Sequence, residues 1–94
     1  MLVHVVLMRF TDPGDAPEAA VRLRQLAVSV PQVKTLDVGL DITGSPHSYD
    51  LVLTTRHTDP GELAAYQSHP DHLQLAAWLG PRLAHRAVVD HLEP

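Results

Sequence analysis

The nine residues from Leu2 to Phe10, L-V-H-V-V-L-M-R-F, limit the fold of this chain more than any other stretch. Side chains along a strand alternate between its two faces. Here both faces are apolar, with Leu2, Val6 and Met8 on one and Val3, Val5 and Leu7 on the other. Such a strand has to be covered from two sides. With 94 residues the chain forms one domain, 1–94, and a domain of that size buries a smaller share of its surface than a large one. Aromatic residues make up only 4% of it, so Leu, Val and Ala must fill the core. One layer of helices would exhaust its means of covering a sheet.

The rest of the chain supplies that layer. Thr11-Asp12-Pro13-Gly14-Asp15 reads as a turn, and Asp15 with Glu18 makes a capping-box start that tolerates Pro17. Leu23, Leu26, Ala27 and Val30 follow helical spacing until Pro31 ends the helix. Leu36, Val38, Leu40 and Ile42 then alternate with Asp37, Gly39, Asp41 and Thr43, which predicts a second strand with one wet face. A third strand over 49–56 places Tyr49, Leu51 and Leu53 on one face, and the short loop 43–48 makes the two strands antiparallel neighbours. Asp59-Pro60-Gly61-Glu62 starts a second helix, with Pro60 in its first position. Pro70 breaks that helix, His72, Leu75, Ala76 and Leu79 resume a helical stripe, Gly80-Pro81 closes it, and 84–92 forms a last strand. The order βαββαβ predicts an α+β, ferredoxin-like protomer with its helices on one face of the sheet. The other apolar face then calls for a second copy, so a homodimer packed sheet to sheet is expected.

Composition removes several function classes. A formal charge of −4 offers no basic excess for a phosphate backbone or an anionic membrane, so neither nucleic acid nor membrane is an expected partner. Cysteine is absent, which excludes a disulfide framework, thiolate zinc sites and a cysteine nucleophile. The apolar start lacks a basic leader and a small-residue cleavage site, and no apolar run approaches the roughly 18 residues of a membrane span. A cytoplasmic protein is the resulting expectation. The glycine-rich signatures of phosphate-binding loops and the serine elbow of hydrolases are also missing.

The chemistry concentrates in Tyr66-Gln67-Ser68-His69-Pro70-Asp71-His72. Imidazole has an ordinary pKa near 6.5, so a partly buried histidine can take and return a proton at neutral pH. His72 is the candidate base. The Tyr66 phenol could donate a hydrogen bond to an enolate or thioester oxygen as charge develops there. On one unbroken helix, six positions are separated by about 240° around the axis, so the pair can meet only if the break at Pro70 reorients the second half. The bland reading makes His69 a helix cap, His72 a surface residue and Tyr66 a core aromatic. His4, His69 and His72 could also be read as a three-histidine metal site. The histidine spacing of a zincin helix and its glutamate are absent, so no metal and no cofactor are expected.

His4 in H-V-V-L-M-R-F, the strand and helix start Y-D-L-V-L-T-T-R-H-T-D-P-G-E-L, and Y-Q-S-H-P-D-H together resemble the stress-responsive dimeric A/B-barrel (Dabb) family. The resemblance spans nearly the whole chain and implies a homodimeric α/β barrel. One plant branch of that family consists of polyketide cyclases, which close a poly-β-keto chain by intramolecular aldol condensation without a cofactor. The resemblance implies that Tyr66 and His72 match that branch's catalytic pair and that His4 matches a first-strand histidine near its site. With His69 from the same stretch, His4 is expected at the substrate-binding end. A further pocket histidine of that branch falls on Leu51, and His57, where the family more often has an apolar residue, reads as an exposed strand end. Two functions follow as expectations: a dimer that binds a hydrophobic carbonyl compound and turns it over as a cyclase or isomerase, or a non-catalytic stress-responsive interaction module.

Overall fold

The computed structural model describes all residues, Met1–Pro94. Four strands, β1 (Leu2–Phe10), β2 (Thr35–Leu40), β3 (Leu51–His57) and β4 (Leu83–Leu92), alternate with three helices, α1 (Ala16–Ser29), α2 (Pro60–Ser68) and α3 (Pro70–Leu79). The strands form one sheet in the order β2-β3-β1-β4 with every neighbouring pair antiparallel. This is the expected ferredoxin-like α+β fold, with the second helix divided in two at Pro70. β1 sits inside the sheet, between β3 and β4.

Its two faces have different fates. Leu2, His4, Val6, Met8 and Phe10 are buried on the helix side together with Leu51 and Leu53 of β3. The stripe Ala16, Ala19, Ala20, Leu23, Leu26 and Val30 of α1 packs on them, and small alanines let that helix lie close. Val5 and Leu7 face the opposite way, beside Val52 and Val89, which are 36% and 62% exposed. No helix covers that face.

Among the boundaries that differ from the sequence reading, three have a local reason. The cap ahead of α1 is Asp12, not Asp15: its carboxylate accepts from the Gly14 N–H at 2.9 Å, and the chain enters the helix through a 3-10 turn at Pro13–Asp15. β2 ends at Leu40, because the Asp41 carboxylate turns the chain by accepting from the Gly44 N–H at 2.7 Å. Gly44 has φ +59°, a conformation glycine adopts without steric cost, and Ile42 is left 95% exposed. β3 runs one residue past Arg56, so His57 is not an exposed strand end; it is fully buried on the helix side. No helix is long and apolar enough to cross a membrane.

Candidate functional site

The polar pair is assembled by the joint between α2 and α3. Asp59 starts α2 by accepting from the Glu62 N–H at 2.8 Å while the Glu62 carboxylate accepts from the Thr58 N–H at 2.7 Å, a reciprocal cap. At the other end the chain takes one extended residue, His69, with φ −62° and ψ 138°. Pro70 imposes this by disfavouring helical angles on the residue before it and by having no N–H to continue the ladder. Tyr66 in the last turn of α2 and His72 in the first turn of α3 therefore meet, their ring centroids 4.7 Å apart at an interplanar angle of 73°.

Both line a cavity of about 270 Å³ between the helices and the sheet. Its walls are apolar: Val6, Met8 and Leu53 from the sheet, Leu23 and Leu26 from α1, and Leu75, Ala76 and Leu79 from α3. The stripe expected on α3 thus forms one wall. The polar side chains facing the space are His4, Tyr66, His72 and Arg86.

Each is held by a different physical device. His4 is buried, and its Nδ1 bonds the carboxylate of Asp90, which lies directly opposite it in the β1–β4 register. His4 lies edge-on to Tyr66 at a centroid distance of 6.5 Å. Behind Tyr66, at 5.1 Å, stands His57, whose Nδ1–H donates to the Gln32 carbonyl at 2.7 Å while its Nε2 lies 2.8 Å from the Thr55 hydroxyl. This buried network holds one face of the tyrosine in place. Burial pushes the Tyr66 phenol up to about 12, against a smaller opposing pull from the Arg86 charge. It stays protonated, and so a donor, at neutral pH. His72 is half-buried, and its Nδ1 is buried without a partner. Burial first, then the positive charges of Arg86 and His4, hold its pKa below the ordinary value, with a backbone hydrogen bond to Gln67 acting the other way.

Of the four residues expected at the site, the structure brings together Tyr66, His72 and His4. His69 is not brought there. Its Nδ1 accepts the Asp71 N–H at 3.1 Å, which makes it the N-cap of α3, and it does not line the cavity. No three His, Asp or Glu side chains are grouped as metal ligands, and the Nδ1 atoms of His4 and His69 are both already engaged. Arg86 and Asp90 escaped the sequence reading. β4 carries polar residues on both faces (His85, Arg86, Asp90, His91), and only its register with β1 shows which of them turn toward the helices.

Fold and pocket define a ferredoxin-like α+β domain that holds a small cavity between one sheet face and its helices. The chain belongs to the stress responsive A/B barrel domain (Dabb) family, whose model matches residues 2–92. Its backbone is similar to that of a dimeric ferredoxin-like protein of unknown function from Thermobifida fusca, with 27% identity and a TM-score of 0.85 over 98% of this chain and 90% of the other. A dimeric ferredoxin-like protein of unknown function from Bacteroides fragilis superposes with a TM-score of 0.86 at 18% identity, covering 98% of this chain and 95% of the other. A hydroxynitrile lyase from Passiflora edulis shares the fold at 13% identity and a TM-score of 0.84, covering 99% and 93%. No curated protein matches the sequence.

Proposed function

We propose that the chain acts as a homodimer whose cavity binds a small apolar carbonyl compound, and that Tyr66 and His72 perform cofactor-independent proton transfer on it, of the cyclase or isomerase kind. The observation that carries this reading is the meeting of a protonated phenol and a low-pKa imidazole at one apolar cavity. A neutral His72 can remove the proton from a carbon flanked by two carbonyls. The electron pair moves into an enolate, whose oxygen accepts a hydrogen bond from Tyr66, and the apolar walls strengthen that bond by excluding water. The enolate carbon then attacks a second carbonyl of the same chain, whose oxygen takes the proton from His72 as the alkoxide forms, or His72 returns the proton to another carbon of the conjugated enolate; either way His72 regains its neutral form. His4, oriented by Asp90, adds a further polar contact at the same end. The dimer is supported by the uncovered apolar face of the sheet and by the dimeric state of similar structures.

Benzoylacetone offers a test without knowledge of the natural substrate. It should raise the melting temperature of the native state by mass action, and the protein should speed solvent-deuterium incorporation between its carbonyls. Loss of a positioned acid or base typically costs about 100-fold or more, so His72→Ala should remove most of the acceleration and Tyr66→Phe a large part of it. Full rates in both variants would strip these residues of their roles. Neither stabilisation nor exchange would favour a non-catalytic interaction module.

A further inference from the structure

We propose that the ligand of this cavity carries a carboxylate, or a comparably compact anion, which Arg86 binds at the cavity mouth while the apolar body lies between α3 and the sheet. This rests on the ligand-binding reading above and names the class of ligand.

The first support is a count of partners. Arg9 bonds the Ser48 carbonyl, Arg22 pairs with Glu18, Arg24 reaches the Val38 carbonyl, Arg56 pairs with Asp37 and Glu93, and Arg82 bonds the Trp78 carbonyl. Arg86 alone among the arginines makes no hydrogen bond or ion pair within the chain. Arg86 is exposed, yet it lies opposite buried Met8 in the β1–β4 register and borders the cavity. That is the helix side of the sheet, away from the Val5, Leu7, Val52 and Val89 face through which the dimer is expected to form.

The second support is the charge of the surroundings. No Asp or Glu lines the cavity, and the guanidinium stands close enough to Tyr66 and His72 to act on both electrostatically. A neutral apolar ligand would gain nothing from this unpaired charge at the cavity mouth. A carboxylate would take two parallel N–H···O bonds from the guanidinium fork. It would also cancel the positive field that disfavours protonation of His72, so the imidazole would become a stronger base only when the anion is in place. Size narrows the class further. At about 270 Å³ the space exceeds the roughly 150 Å³ cavity that accepts benzene. It falls just below the range of about 300–1,000 Å³ typical of drug-sized ligands. One ring, or an equivalent aliphatic body, with a short acid chain is what fits.

The experiment compares benzoylpropionate with its primary amide, which keeps the ring and ketone and removes the charge. Calorimetric titrations would use the wild-type protein and Arg86→Gln. The expected result is that the wild type binds the acid about tenfold or more tightly than the amide, the usual worth of a charged hydrogen-bonded contact. Arg86→Gln should lose that preference, chiefly through weaker binding of the acid. Equal affinities in the wild type, or a preference that survives Arg86→Gln, would overturn the anion assignment and leave the ligand cavity standing. If neither compound binds, the ligand-binding reading itself falls, and this inference with it.

Discussion

His72 shows how much chemistry one side chain acquires from its surroundings. Its burial and the neighbouring charges of Arg86 and His4 favour the neutral ring, so the folded pKa lies below the ordinary 6.5. Between that lowered value and 6.5 the unfolded chain binds a proton that the folded chain does not. Stability should therefore fall as pH drops through this window and be level above it. Titration of the His72 ring proton by NMR checks the sign directly: the midpoint is expected below 6.5 and should rise in Arg86→Gln, and a wild-type midpoint above 6.5 would remove the argument for a neutral base. The residue types in Tyr66-Gln67-Ser68-His69-Pro70-Asp71-His72 made Tyr66 and His72 visible in the sequence. Arg86 and Asp90 carried no such signal, because a charged residue in a strand of mixed polarity reads the same whether it faces a pocket or solvent. The burial of His57 was equally hidden: its partners Gln32 and Thr55 lie 25 and two positions away, and only the packing of β3 under Tyr66 joins them.

At the scale of the elements, the joint between α2 and α3 decides the site. A proline alone marks a break without giving its angle. His69 completes the joint by capping α3 with its own ring nitrogen, so its side chain serves the backbone instead of a ligand. His69→Ala should lower stability by up to about 1 kcal/mol, the usual worth of a helix cap, as read from urea midpoints, while affinity for benzoylacetone stays unchanged. Restoration of the midpoint in His69→Asn would support the cap, since asparagine is among the best N-cap residues. A loss of ligand affinity at full stability would instead place His69 at the ligand. The start of α1 teaches the same lesson. Asp15 was the expected cap, and the role fell to Asp12 because Pro13 and Gly14 fold into a tight turn ahead of the helix.

For the whole molecule, the sheet carries a layer of helices on one side and the exposed residues Val52 and Val89 on the other. An open apolar face of this kind is costly in water and marks an interface. The wild type should sediment as a dimer at micromolar concentration. Charges placed there by Val52→Asp together with Val89→Asp should yield a folded monomer with unchanged far-UV circular dichroism. A monomeric wild type would contradict the interface.

Local sequence carried the order of elements, the two apolar faces of β1, the break at Pro70 and the residue types of the Tyr66–His72 pair. Each is written in local periodicity, in turn chemistry or in the geometry of proline, all of which act over a few residues. Only the tertiary structure decided which polar side chains share the cavity. His4 meets Asp90, and Arg86 turns toward Tyr66 and His72, because β1 and β4 pair in one register across most of the chain. That register is set by the packing of the whole sheet under its helices, and a shift of one residue would send every one of those side chains to the opposite face.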